Sequence, residues 1–448
     1  MRSCWWCSAV TGVAPSTLSS AGWAVGISLG LALGVAIAIG VDVAIIAVAA
    51  IVLGIVFVMV RVRAELVVAA YWVTFTLVST IFVDSAVDQL FYPFYGALLL
   101  GVLAAVARGG LRLERWVAWV YGAFLVALII SLVGSDGPSG AAIMRQLIVY
   151  PFGALIWLQF SSIGGVRTVV TTAIGTSLTV SAWVIISAVQ GDFAYRGSVT
   201  VDQNIVSFFI GIGFVLLLAG RLGGRRIPMQ RYGTLLAWVG LAAMAYALLL
   251  LASRGTMIAI FITVLALLLR ESFQRERRLG VFAALILVAA AGFALPGGQG
   301  LLDRFEDVNV ATGGGRTLIW SVLGSEIQAA GVAELVVGHG FGASREFIGR
   351  QFTGVSSPHN AYLQVFFDLG AIGLGLFLVL HGFVVARAWR MTGSDGARIL
   401  ALVVFLLAVN LFITAQDGFL YWTAFGLALA MSSWHSGRAP ASRQGATR

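Results

Sequence analysis

Apolar residues run along this chain in long stretches, interrupted by arginines and by clusters of Gly, Pro and Ser. The stretches are long enough for a helix to cross a hydrocarbon core, which takes about 20 residues. Cutting at the charges and turn residues gives fourteen candidate spans, near 22–41, 43–60, 65–83, 89–107, 116–134, 143–160, 168–189, 203–220, 233–251, 255–270, 279–295, 359–386, 398–416 and 418–434. A bilayer core offers no hydrogen-bond partner to an open backbone, so only helices or a closed barrel can cross it. These runs are too long and too uniformly apolar for barrel strands. The pattern therefore predicts an all-α polytopic membrane protein of about 12–14 transmembrane helices.

Composition agrees with this reading. The chain is 60% hydrophobic and 10% charged, against roughly 25% charged in soluble domains. A formal charge of +9 would suit nucleic acid, but the basic residues are all arginines in short segments between apolar runs. That is a topology signal, and no nucleic-acid partner is expected. With the N-terminus inside, alternate loops leave only Arg145, Arg196, Arg254, Arg304, Arg316, Arg345 and Arg350 outside, out of 28 basic residues. The positive-inside rule then puts both termini in the cytoplasm and the protein in the inner (cytoplasmic) membrane. The N-terminal region lacks a clear cleavage site, so its first apolar run reads as a retained span. Cys4 and Cys7 form a lone C-x-x-C without a second pair or a nearby His, a poor zinc site.

The chain leaves the apolar regime once for long, between about Leu295 and Pro358. The expected organisation is a cytoplasmic tail over 1–21, a helix bundle over 22–295, a large external loop over 296–358, further transmembrane helices over 359–434 and a cytoplasmic tail over 435–448. Within the loop, 316–330 has helical apolar spacing at Leu318, Ile319, Val322, Leu323 and Ile327, which predicts a helix on the bundle or membrane surface. Gly338 to Gly342 lacks the strand-to-helix setting of a nucleotide site and reads as turn geometry.

Candidate chemistry gathers on the outer face. The loop ends in Ser356-Ser357-Pro358-His359-Asn360 and opens directly into an apolar run. Ser at the N-cap and Pro at the first helical position are a helix-start signature, which predicts His359 in the first turn. The positive end of the helix dipole disfavours an imidazolium there, so the ring is placed like a general base; the plainer alternative is a polar interface residue bonded to a loop carbonyl. Arg254, Arg145 and Arg196 lie near the outer ends of spans or in short outer loops. Either they pair with external acids such as Asp192, Asp202, Asp303, Glu306 and Asp307, or their planar forks converge on a phosphate-bearing anion. The histidines at 339, 359, 381 and 435 are dispersed, and no acid cluster has metal-ligand spacing, so no metal or other cofactor is expected. His339 reads as structural.

Several ordered motifs between about residues 190 and 380 resemble the O-antigen ligase and O-antigen polymerase family. SSPHNAYLQVFFDLGAIGLGLF is similar to that family's His-Asn…Leu…Gly-x-x-Gly signature at the exit of its large periplasmic loop. GRTLIWSVLGSEI and VVGHGFGA are similar to its Gly-Arg…Trp and Gly-x-Gly elements, SRG opens a span, and Asp202-Gln203-Asn204 is similar to its Asn-containing helix start. The stretch Ala333 to Val337 departs from a His-Pro or Asn-Pro pair often found there, and fourteen spans exceed the usual number of about twelve.

The resemblance implies a GT-C-like bundle and metal-independent transfer of a glycan from undecaprenyl pyrophosphate to a hydroxyl of a glycan, lipid or protein acceptor, at the membrane surface and among membrane lipids. His359 would be the base. Arg254 and Arg316 would act with it at the reacting centre, and Arg145, Arg196, Asn204 and Asn360 would bind substrate. A pyrophosphate is a weakly basic leaving group, so such a reaction needs charge stabilisation and one base, without a general acid. The competing class is a multi-pass solute transporter without transfer activity; the absence of a two-halves internal repeat and the gathering of charge on one face weigh against it.

Overall fold

The computed structural model describes residues 115–133, 163–190, 203–223, 231–270, 316–352, 357–414 and 419–436, together with Trp72. Every element in them is a helix: α1 (Arg115–Val133), α2 (Ile163–Gln190), α3 (Gln203–Gly223), α4 (Arg231–Leu251), α5 (Arg254–Leu269), α6 (Arg316–Ala329), α7 (Val332–Val337), α8 (Ala343–Gln351), α9 (Ala361–Arg390), α10 (Gly393–Val409) and α11 (Phe419–Ser436). Among the described residues, α2, α3, α4 and α9 contain stretches long and apolar enough to cross a membrane, and α1 and α5 are shorter apolar helices. This is an all-α polytopic membrane protein. Residues 1–21, with Cys4 and Cys7, lie outside the described residues, as do Arg145, Arg196 and the tail beyond residue 436.

Helix α3 occupies the centre, since 78% of its spanning window is buried inside the protein against 39–44% for α2, α4 and α9. It packs on α2, α4, α5 and α10, and α10 in turn packs on α5, α9 and α11. Lipid is as apolar as leucine, so helices in a bilayer associate through close packing and interhelical hydrogen bonds. Small residues on α3 permit that approach. Gly211 lies against Phe405 and Thr256, and Gly213 against Ser177, whose hydroxyl proton is shared between Ala173 O of its own helix and Phe209 O of α3, each 2.9 Å from Oγ.

Neighbour contacts fix the directions. Gly220 meets Arg398 and Gly223 meets Ser394, so α3 and α10 run antiparallel. Gly255 meets Phe412 and Gly396 meets Arg270, so α5 is antiparallel to α10 as well. One end of the bundle therefore collects Arg221, Arg270, Arg387, Arg390 and Arg398. The opposite end collects the N-termini of α3, α5 and α9 around the C-terminus of α10.

The run expected as one span over 359–386 is two helices. At Gly370 the backbone takes φ 66, ψ −169. Tyr362 and Phe377 would be about 22 Å apart along a straight helix at 1.5 Å per residue, yet their rings sit 6.2 Å apart, edge to face. The short N-terminal arm of α9 thus folds back along the bundle. It is fastened there by Ala361 N–H to Asn410 O at 2.8 Å and by Tyr362 OH to Leu407 O at 2.6 Å.

Candidate active site

The bend in α9 is built jointly with the turn before α8. Breaking a helix frees backbone groups that must find partners when buried. His339 N–H donates to Phe367 O (2.9 Å) and Gly340 N–H to Asp368 O (3.2 Å), while Ser131 Oγ also donates to Asp368 O (2.9 Å). The two backbones touch so closely that a Cβ on Gly338 would strike the Asp368 carbonyl and one on Gly370 the Val336 carbonyl. Both glycines also have positive φ, where a side chain is strained. Gly338 to Gly342 is turn structure, as its sequence indicated, with the particular task of plugging the α9 bend.

Asp368 completes the joint. Its side chain is buried at 2% exposure and accepts from Gly342 N–H (3.2 Å) and Ser344 N–H (2.8 Å) at the start of α8. A carboxylate at a helix N-terminus satisfies orphan amides and meets the positive end of the dipole. His339 stacks on Phe367 with ring centroids 4.2 Å apart and planes 8° from parallel, which gives it a packing role. His381 is fully buried, with Nδ1 2.8 Å from Phe377 O and Nε2 2.7 Å from the Tyr421 hydroxyl; it ties α9 to α11.

His359 precedes α9 instead of opening it. The N-cap is Asn360, whose Oδ1 accepts from Tyr362 N–H (3.0 Å) and Leu363 N–H (3.1 Å). This corrects the expectation of a Ser357 cap with His359 in the first turn. Asn at the cap outcompetes Ser three residues earlier because its amide oxygen reaches two amides of the first turn at once. His359 is left half-buried with φ 51, a left-handed conformation uncommon for a side-chain-bearing residue. Its loop is held from several sides. Trp320 Nε1 of α6 donates to Pro358 O at 2.8 Å, the Ser357 and Thr414 hydroxyls lie 2.7 Å apart, and His359 N–H donates to Ser357 Oγ at 3.3 Å.

Arg254 is the first residue of α5 and is partly exposed. Before it, Ala252 takes φ 46, the one other non-glycine residue with positive φ among the described residues. Ser253 forms the N-cap but its side chain makes no cap bond to the amides of its helix; its hydroxyl instead joins Asn204 Oδ1 at 3.1 Å and the Thr256 hydroxyl of α5 at 3.2 Å. The segment after α10 links the two strained positions. Asn410 and Thr414 hold the His359 loop, while Phe412 between them rests on Gly255. Arg316 opens α6, one turn before Trp320. His359, Asn360, Arg254, Asn204 and Arg316 thus belong to one connected end of the bundle, whereas Arg145 and Arg196 fall outside the described residues.

Asp368 and Asn410 meet none of the sequence criteria for candidates, although each is a polar residue inside an apolar run, a position that is costly and commonly functional. Trp320 enters the sequence reading only through the resemblance.

These features define the class: a polytopic helical membrane protein with a half-buried, strained histidine and a helix-opening arginine gathered at one end of its bundle. Residues 239–378 match the family model described as O-antigen ligase, a stretch that runs from α4 through α5 to α8 and past the α9 bend. Over this part the chain is similar to the O-antigen ligase family, which supports a role in ligating or polymerising cell-envelope glycans. Comparison with curated proteins gives no match.

Proposed function

We propose that the protein transfers a glycan from undecaprenyl pyrophosphate to an acceptor hydroxyl at the outer face of the cytoplasmic membrane. The carrying observation is the pairing of the two strained side-chain-bearing residues: one is His359 itself and the other stands two residues before Arg254. Backbone strain persists only where surrounding structure enforces it, and it concentrates at functional sites.

In this reading the acceptor oxygen attacks the anomeric carbon while His359 takes the hydroxyl proton. The carbon–oxygen bond to the pyrophosphate breaks, and its electron pair leaves with the phosphate. Arg254, at the α5 N-terminus, and Arg316 hold the departing charge, since guanidinium forks and helix N-termini both suit phosphate oxygens. Arg196, Arg145, Asn204 and Asn360 are assigned to substrate. Because Asn360 Oδ1 is committed to capping α9, a substrate contact would use its amide nitrogen.

The test is transfer from a polyprenyl-pyrophosphate-linked glycan by purified protein in lipid. His359→Ala should lower turnover by about 10²- to 10⁴-fold, the usual worth of a general base, with unchanged membrane insertion. Wild-type turnover in that variant refutes the mechanism. In a deletion strain, accumulated polymer on undecaprenyl identifies a ligase, and accumulated single repeat units identify a polymerase.

A further inference from the structure

We propose that α7 is an interfacial membrane helix, with its valines seated in lipid beside the outer end of the α9 span. Beyond the bend, the arm from Ala371 to Arg390 is about 28 Å long at 1.5 Å per residue, close to the roughly 30 Å of a hydrocarbon core. Its last turn carries Arg387 and Arg390, with Trp389 exposed between them. Basic and aromatic residues of that kind mark a membrane boundary. The bend at Gly370 therefore falls at the opposite boundary.

Helix α7 docks on that bend. The Val336 carbonyl lies against Gly370 and the following glycine, Gly338, against Asp368, so α7 cannot sit higher than the start of the span. At that level it presents Val332 at 79%, Val336 at 40% and Val337 at 51% exposure. The adjoining arm of α9 exposes Ile372, then Leu378 and Val379. The valines extend a surface that the span already turns to lipid. Their polar neighbour Glu334 caps its own helix, its Oε2 accepting from Gly331 N–H at 2.8 Å, and with half of its side chain exposed it suits the headgroup side of such a boundary. Three exposed valines in six residues suit the headgroup–acyl boundary and not bulk water. Continuity with the span selects lipid over a protein partner. Seated there, α7 fixes the depth of the Gly338–Gly342 plug, and through it the bend from which the His359 arm folds back.

The inference stands independently of glycan transfer and is tested on the full chain. Nitroxide labels are placed singly at Val332→Cys and Val336→Cys in a Cys4→Ser, Cys7→Ser background that keeps the native elution profile. Leu378→Cys serves as a lipid reference and Glu346→Cys as a water reference. In phosphatidylcholine–phosphatidylglycerol vesicles, the ratio of oxygen to nickel-chelate collision rates at both valines should exceed that at Glu346 several-fold, approaching that at Leu378. A ratio equal to that at Glu346 overturns the proposal. So does shielding from both reagents, which would mean that protein covers the helix.

Discussion

Trp320 reaches the proposed base through a single peptide. Its indole N–H is bonded to Pro358 O, the carbonyl that joins directly to His359, and so fixes the plane from which the strained φ of 51 departs. Trp320→Phe keeps the ring and removes the donor. Turnover should fall by about 10- to 100-fold, the scale on which small misplacements of catalytic groups act, with little change in KM or melting temperature. Steady-state kinetics beside His359→Ala measures this, and wild-type turnover would show that the bond does not position the loop. The identity of His359 and Arg254 as candidates was readable from sequence, because charge type and a helix-start pattern are local properties. The backbone conformation of His359 was not, since its loop is held by α6 and by residues 410–414, and neither was that of Ala252.

At the scale of elements, the α9 bend and the 338–342 turn form one device. Neither Gly338 nor Gly370 accepts a Cβ, because each has positive φ and lies against the opposite backbone, Gly338 at Asp368 and Gly370 at Val336. Gly370→Ala should therefore cost at least about 2 kcal/mol, from φ strain plus the displaced joint, and lower the thermal midpoint in detergent; Gly375→Ala, in open space, should leave it unchanged. Equal midpoints for the two would mean that the bend is not held by this contact. Hydropathy could not reveal the bend. Both arms are apolar, and glycines are common in unbroken transmembrane helices. By contrast, the limits of α3 and α4 came within a few residues of 203–220 and 233–251, because an apolar solvent makes uninterrupted apolar sequence nearly synonymous with helix. Helix α6 also matched the expected 316–330 closely. Helices α7 and α8 are too short to show a period and owe their form to Glu334, Asp368 and the glycines that flank them.

At the scale of the molecule, the bundle is polarised. Among the described residues Arg221, Arg270, Arg387, Arg390 and Arg398 crowd one end and the candidate site occupies the other, and the positive-inside rule predicts that the arginine end faces the cytoplasm. Alkaline phosphatase fused after Gly349 should be active, and the same reporter fused after Gly393 inactive; the reverse pattern would invert the topology and move the proposed reaction to the cytoplasmic side. The central position of α3 depends on Gly211 and Gly213, where neighbouring side chains occupy the Cβ space. Gly213→Leu should separate α2 from α3 and reduce folded yield, measured by gel filtration, whereas Gly175→Leu, with nothing close by, should not.

The sequence alone determined the solvent and the helical secondary structure, and it predicts the sidedness of charge, since each depends on the transfer of single residues or short runs into lipid. It also carried the family resemblance, in motifs that lie within or beside the matched residues 239–378. Tertiary structure decided where the chemistry stands. Folding at Gly370 turned the start of an apparent span into a short arm that runs back along the bundle, Asn360 took the cap from Ser357, and contacts far apart in the chain tied the His359 loop and the start of α5 to the same segment after α10. Such contacts arise from the shapes of packed helices, which no local pattern of apolar and polar residues encodes.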